Sequence, residues 1–238
     1  MKRNTIEFHY KEISFSEDHH VNMFKPKPAE ECIPEWFKEL HNPMTRKTVK
    51  TCRGVYDQMT QGYIVFWPFD VLIQKDENGK MFVVRHRDEG RQMFSPHPHE
   101  QLGLFPSVNF AMQKTGVEKF ISPFRLKTPK GTSIMMMQPQ YRPDLKTEIM
   151  PGIVDTDNFY MPLNILFTIK DMDINKPVKI ASGTPLAQIV PFVRSEWEIE
   201  YKDIDEEEYI TLEDNIGNIE KHYSKDLWVK KIFKRKVK

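Results

Sequence analysis

Residues 151–170, PGIVDTDNFYMPLNILFTIK, join a turn to an apolar run, and the fold is read from that junction. Pro151 and Gly152 open a turn, Asp155 and Asp157 follow, and Leu163 to Ile169 reads as a buried strand rich in β-forming residues. Asp and Asn side chains close turns by bonding to nearby backbone. A fixed carboxylate at a strand mouth can also activate water. On these residues alone both readings stand.

Outward from this stretch the chain keeps the same grammar. Strand-like runs at 119–127, 132–138, 162–169, 177–180 and 187–193 are separated by Pro, Gly, Asp and Asn. Further back, YIVFWPFDVLIQ, KDENGK and MFVVRH read as a hairpin, with Asn78-Gly79 as the positive-φ pair of its turn. TIEFHYKEISF (5–15) alternates as a strand. Seventeen prolines against ten glycines cut the chain into short elements and argue against a helical bundle. Pro34 opens a short helix with Glu35 in its first turn and Trp36, Phe37 and Leu40 on its buried face. The expectation is a mainly β protein. An N-terminal arm with a short helix spans 1–60, a β core 61–196, and an acidic linker with a basic C-terminal helix near Leu227, Trp228, Ile232 and Phe233 spans 197–238.

Charge is nearly balanced, 35 basic against 34 acidic residues, so whole-chain charge implies neither a nucleic-acid nor a membrane partner. The short basic end WVKKIFKRKVK is expected to be solvated or docked on the acidic stretch before it. No run approaches the roughly 18–20 apolar residues of a spanning helix, and MKRNTIEFHYKE lacks the apolar stretch of a secretory signal. Cys32 and Cys52 form no CxxC pair, which fits a reducing interior. There is no G-x-S-x-G, Walker loop, GxGxxG or HExxH.

Three segments in chain order resemble the dUTPase and dCTP deaminase family. LKTPKGTSIMMMQPQYR (126–142) has that family's Pro-Lys-Gly turn before a strand. PGIVDTDNFYMPLNILF (151–167) is similar to its Gly-apolar-apolar-Asp segment. PVKIASGTPLAQIVPF (177–192) is similar to its Gly turn and following strand, with Leu186, Ala187 and Gln188 at the matching places. The resemblance implies a dUTPase-like β-clip, a distorted jelly-roll-like barrel, and a trimer. It implies Asp155 as the carboxylate orienting the attacking water. Gly152, Ile153, Val154 and Phe159 would line a nucleotide pocket, with Gln188 near the phosphates and Mg²⁺ entering only with a bound nucleotide.

The chain departs from that pattern where phosphates would be held. MMMQPQ stands where an Arg-Ser-Ser signature belongs, and no arginine follows before Arg142. Tyr160 or Met161 replaces the deaminase glutamate, and a glycine-rich closing arm is missing. PKPAEECIPEWFKEL and VKTCRGVYDQMTQGYIVFWP resemble a family of proteins encoded by large tailed bacteriophages, which implies host cytoplasm or virion as the setting and other virion proteins as possible partners. The expected function is a non-catalytic, homo-oligomeric structural or interaction module. The alternative is a divergent nucleotide-binding protein or dNTP pyrophosphatase using Asp155. A third reading is a metal-dependent enzyme: His97 and His99 share one side of an extended segment, with His86 and Asp88 upstream in HxD spacing.

Overall fold

The computed structural model describes residues 4–10, 25–44, 48–78, 81–85, 93–96, 117–174, 176–207, 209–210, 223 and 227–235. The described strands, in chain order, begin with β1 (Glu7–Tyr10), β2 (Lys27–Pro28), β3 (Tyr63–Phe66), β4 (Val71–Lys75), β5 (Met81–Arg85) and β6 (Phe94–Pro96). They continue with β7 (Glu118–Lys127), β8 (Thr132–Met137), β9 (Thr147–Ile149), β10 (Gly152–Val154), β11 (Pro162–Ile169), β12 (Val178–Ile180) and β13 (Pro185–Val193). Two short helices, α1 (Glu35–Glu39) and α2 (Arg53–Thr60), lie between β2 and β3. The chain divides into a β unit, Met1–Lys27 with Gly62–Val193, and an arm unit, Pro28–Gln61 with Arg194–Lys238.

Within the β unit, alternation decides which residues face inward. β7 alternates strictly from Glu118 to Leu126: Phe120, Ser122, Phe124 and Leu126 are buried, while Lys119, Ile121, Pro123 and Arg125 are only partly so. It pairs antiparallel with β11 and β1 in a sheet ordered β1-β7-β11-β9, with β6 also on β7. A second sheet runs β10-β8-β13-β3 and then β2, the two residues at which the chain leaves this unit. The third is β12-β4-β5, so the hairpin expected after Gly62 forms between β4 and β5, while Gly79 of its turn lies outside the described residues.

All three sheets contribute to one apolar core. Trp67, Phe120 and Phe167 are fully buried, with the Trp67 ring 5.3 Å from Phe120 and 5.1 Å from Phe167, the latter edge-on. Gly62 is required at the start of β3. Its φ is +73°, and a Cβ there would lie 2.0 Å from the Ile189 carbonyl oxygen.

In the arm unit α1 begins after Pro34, whose carbonyl accepts from Phe37 N at 3.1 Å, and Phe37 is buried. The second helix, Arg53–Thr60, is not signalled in the sequence. It is eight residues long, well short of the roughly 12–15 at which isolated helices become even marginal, so its stability comes from tertiary contacts. The basic end supplies some of them. Trp228 Nε1 donates to Asp57 Oδ2 at 2.8 Å, and the Arg53 guanidinium sits 4.7 Å above the Trp228 ring. Lys231 pairs with Asp57 at 2.6 Å, Lys230 with Glu30 at 2.9 Å, and Arg235 with Glu31. The Lys230 hydrogen bond holds the Glu30 carboxyl below its usual range, while burial and then the bond to Glu30 push the Tyr56 phenol up. Of the C-terminal stretch expected to be helical, Leu227 is helical and Trp228–Arg235 takes no regular structure. Its side chains are drawn to separate acidic partners on Glu30, Glu31 and Asp57 instead of forming one helical face.

Candidate functional site

The site is assembled where the turn between β7 and β8 meets the loop between β10 and β11. Gly131 carries a positive φ of +80°, and Thr132 N bonds to the Pro129 carbonyl at 3.1 Å, closing the first turn. In the second, the Asp155 carbonyl accepts from Asn158 N at 3.0 Å and Phe159 N at 2.8 Å. The backbone therefore closes the Thr156-Asp157-Asn158 turn and leaves both carboxylates for other work.

The two carboxylates have different jobs. Asp157 Oδ2 accepts from Gly131 N at 2.8 Å and fastens one turn to the other. Asp155 is exposed, and its Oδ1 accepts from Ser133 Oγ at 2.6 Å, a charge-assisted bond from a fully buried serine. Beneath them, Thr128 Oγ1 donates to the Thr132 carbonyl at 2.8 Å and lies 2.9 Å from Thr156 Oγ1. A hydroxyl has one proton, so Thr156 is the donor in that pair. Thr128 and Thr156 are both buried, which makes this a locked polar joint.

Register explains why Ser133 meets Asp155. Ile153 faces Met135 and Val154 faces Ile134, so the next step along the ladder brings Asp155 to Ser133. Nothing in the sequence singles out Ser133: GTSIMMM does not alternate, and Thr132, Ser133 and Ile134 are all buried.

The other expected pocket residues are spread over different environments. Gly152 pairs with Met136, Ile153 projects from β10 at 61% exposure, and Phe159 is exposed just past the turn. Gln188 is fully buried in β13, where its Oε1 accepts from Gln140 N at 3.1 Å and holds the 138–141 turn. Arg142, the first arginine after the turn, chelates Asp144 at 2.8 Å and lowers that carboxyl's pKa. On the far flank Tyr160 OH meets His9 Nδ1 at 2.8 Å, and His9 Nε2 meets Glu7 at 2.7 Å. His86, Asp88, His97 and His99 lie outside the described residues. Among the described residues no cluster of three or more His, Cys, Asp or Glu side chains is placed to hold a metal.

Chemically, a carboxylate anchored on one oxygen by a buried hydroxyl can orient a water or accept from a ligand donor. The strand facing it presents methionine. Met135 is partly exposed, pairing with Ile153 on one side and Val190 on the other, so an apolar row crosses β10, β8 and β13 beside Asp155.

No protein-family model and no curated protein matches the chain. Among solved structures it is similar to a mutant dUTPase from phage phi11 of S. aureus, with TM-score 0.32 and 13% identity over 60% of this chain and 82% of that one. The EIAV dUTPase has TM-score 0.32 and 10% identity over 60% and 84% of the two chains. A mutant dUTPase of Staphylococcus bacteriophage 80alpha with dUpNHpp has TM-score 0.32 and 14% identity over 60% and 75%. No helix among the described residues is long and apolar enough to cross a membrane.

Proposed function

We propose that this chain is a self-assembling β module acting through its surfaces, with no hydrolytic role. The observation that carries the reading is the apolar row Ile153, Met135 and Val190 beside Asp155, with Ile153 61% and Met135 38% exposed. Triphosphate chemistry needs concentrated positive charge facing the reacting phosphate. Here the strand facing β10 offers methionines, and Arg142 is engaged with Asp144. A half-exposed apolar row on a sheet face suits burial against another copy. The resemblance to dUTPases makes three the expected number, and the resemblance to tailed-phage proteins makes the virion or the infected host cell the expected setting.

Light scattering after size exclusion tests this directly. A mass of three chains that falls to one in Ile153→Asp supports the reading, and a monomeric wild type at 50–100 µM (about the upper range of such runs) sinks it. Peptide mass spectrometry of purified particles tests the setting.

A second reading rests on the Ser133–Asp155 bond, which holds an exposed carboxylate in one orientation. In that reading Asp155 orients water on a nucleotide, and Mg²⁺ arrives with the triphosphate. Both aspartates of the turn already accept protein donors, Asp157 from Gly131 and Asp155 from Ser133, so neither is set aside as a metal ligand. A dNTP panel with Mg²⁺ separates the readings. A melting shift lost in Asp155→Asn favours the second, and no shift with any nucleotide leaves the first.

A further inference from the structure

Residues 228–238, WVKKIFKRKVK, carry six basic and no acidic side chains, with Trp228 and Phe233 set among them. Whole-chain charge is balanced, so this is a local concentration of positive charge. Three of the six are already engaged: Lys230 pairs with Glu30 at 2.9 Å, Lys231 with Asp57 at 2.6 Å, and Arg235 with Glu31. Trp228 completes the contact. Its indole N–H donates to Asp57 Oδ2 at 2.8 Å, the Arg53 guanidinium covers its ring, and Tyr56 meets it edge-to-face at 6.4 Å.

The grip is of a kind that can be exchanged. The paired lysine and arginine side chains are half-exposed, and Val229 and Ile232 stay 69% and 62% exposed in the docked tail. A segment fixed by packing would bury those apolar groups, whereas this one holds by charges and one ring. Exposed ion pairs are individually weak and screened by salt. Phosphates engage lysine and arginine through the same charge-assisted bonds as carboxylates do. An aromatic ring freed together with those cations can stack on a base.

The pattern also selects among polyanions. Single-stranded nucleic acid is held by cations that track its backbone and by rings that stack on its bases, and basic and aromatic side chains are interleaved here. A lipid surface calls instead for one continuous apolar face on a helix. Residues 228–235 take no regular structure and present no such face.

We propose that residues 228–238 are a binding strap for single-stranded nucleic acid, held shut by Glu30, Glu31 and Asp57. The three carboxylates stand in for phosphates, and the polyanion must displace them. Docking and binding are therefore mutually exclusive, and apparent affinity is reduced by the fraction of time the tail is docked. Weak exposed pairs hold the tail, so opening this seat should strengthen binding about tenfold. The strap invokes no residue of the β unit and stands apart from the self-assembly reading.

Fluorescence anisotropy with a labelled oligothymidine of about 20 nucleotides in about 50 mM salt tests this. Glu30→Gln/Glu31→Gln/Asp57→Asn should bind about tenfold more tightly than wild type. Glu196→Gln/Glu198→Gln/Asp203→Asn removes as many charges from exposed positions outside the seat and should bind about as wild type does. Lys230→Gln/Lys231→Gln/Lys234→Gln/Arg235→Gln should lose binding while keeping the wild-type far-UV circular dichroism. A seat variant no tighter than its charge-matched control overturns the proposal, as does a tail variant that binds like wild type. Capture by phosphatidylserine vesicles with none by oligonucleotide overturns it too. A second readout needs only the wild type. Of its four indole N–H resonances, the one assigned by Trp228→Phe should shift as oligonucleotide is added. A resonance unmoved once binding is saturated rules the strap out.

Discussion

The two units of this protein are held by different physics. The β unit is built on three sheets sharing an apolar core in which Trp67, Phe120, Ile165, Phe167 and Leu186 are fully buried. In the arm unit, where Ala29, Phe37 and Met59 are buried, described contacts joining distant parts of the chain largely involve charged side chains, with Trp228 gripped by Asp57 and Arg53. Apolar burial is insensitive to salt and tolerates few voids, whereas half-exposed ion pairs each contribute little and are screened. The β unit should therefore fail by unfolding, and the arm unit by losing its tail.

The largest effect is expected from Phe167→Ala. Phe167 is fully buried against Trp67, and the cavity should cost about 3–5 kcal/mol, read as a lower urea midpoint. Gly62→Ala comes next. Left-handed strain and a backbone clash with Ile189 combine there, for about 3 kcal/mol by the same assay. Thr156→Val breaks the buried hydroxyl pair with Thr128 and should cost about 1–3 kcal/mol. That loss would show the candidate site to be a structural joint.

Asp57→Asn in the arm unit should move global stability by less than about 1 kcal/mol. It should nevertheless speed proteolytic removal of the basic end, as should 1 M NaCl, where the screening length is about 3 Å. A tail equally resistant in high salt would break the contrast between the units. The smallest effect is with pH. Glu30 is held below its ordinary 4.5 by the Lys230 hydrogen bond, so its contribution is present above about that pH and fades as pH falls through the lowered native value. Lys230 is raised by the same bond, so its contribution is present below 10.5 and fades as pH climbs through its raised value. Tail protection should therefore decline as pH falls below 4.5 and be flat at neutrality, and proteolysis across pH with an acid-tolerant protease reads it.

Much of the β unit is legible because alternation is a local property. β7 at Glu118–Lys127 and β11 at Pro162–Ile169 fall within a residue of the runs read from their apolar spacing. Those runs are long enough for burial on one side to fix the pattern. The second helix, Arg53–Thr60, is not legible. It is short, has no side-chain cap hydrogen bond and carries Gly54 in its first turn, so only tertiary contacts make it worthwhile. The segment 196–202 is the opposite case, an alternating pattern that joins no described sheet, because alternation is local and pairing needs a distant edge.

At the candidate site the division is the same. Local chemistry identified a turn with two carboxylates at 155 and 157, and by itself left their roles interchangeable. Register separated them: Asp157 reaches Gly131 N across the neighbouring turn, and Asp155 meets the hydroxyl of Ser133. Those partners lie 26 and 22 residues away, beyond the reach of any local pattern. The sequence by itself determined the alternation, the turns and the places where methionine stands in for charge, since each depends on neighbours a few residues apart. Tertiary structure alone decided which carboxylate is a fastener and which is exposed, because hydrogen-bond partners and burial are set by the chain's distant segments.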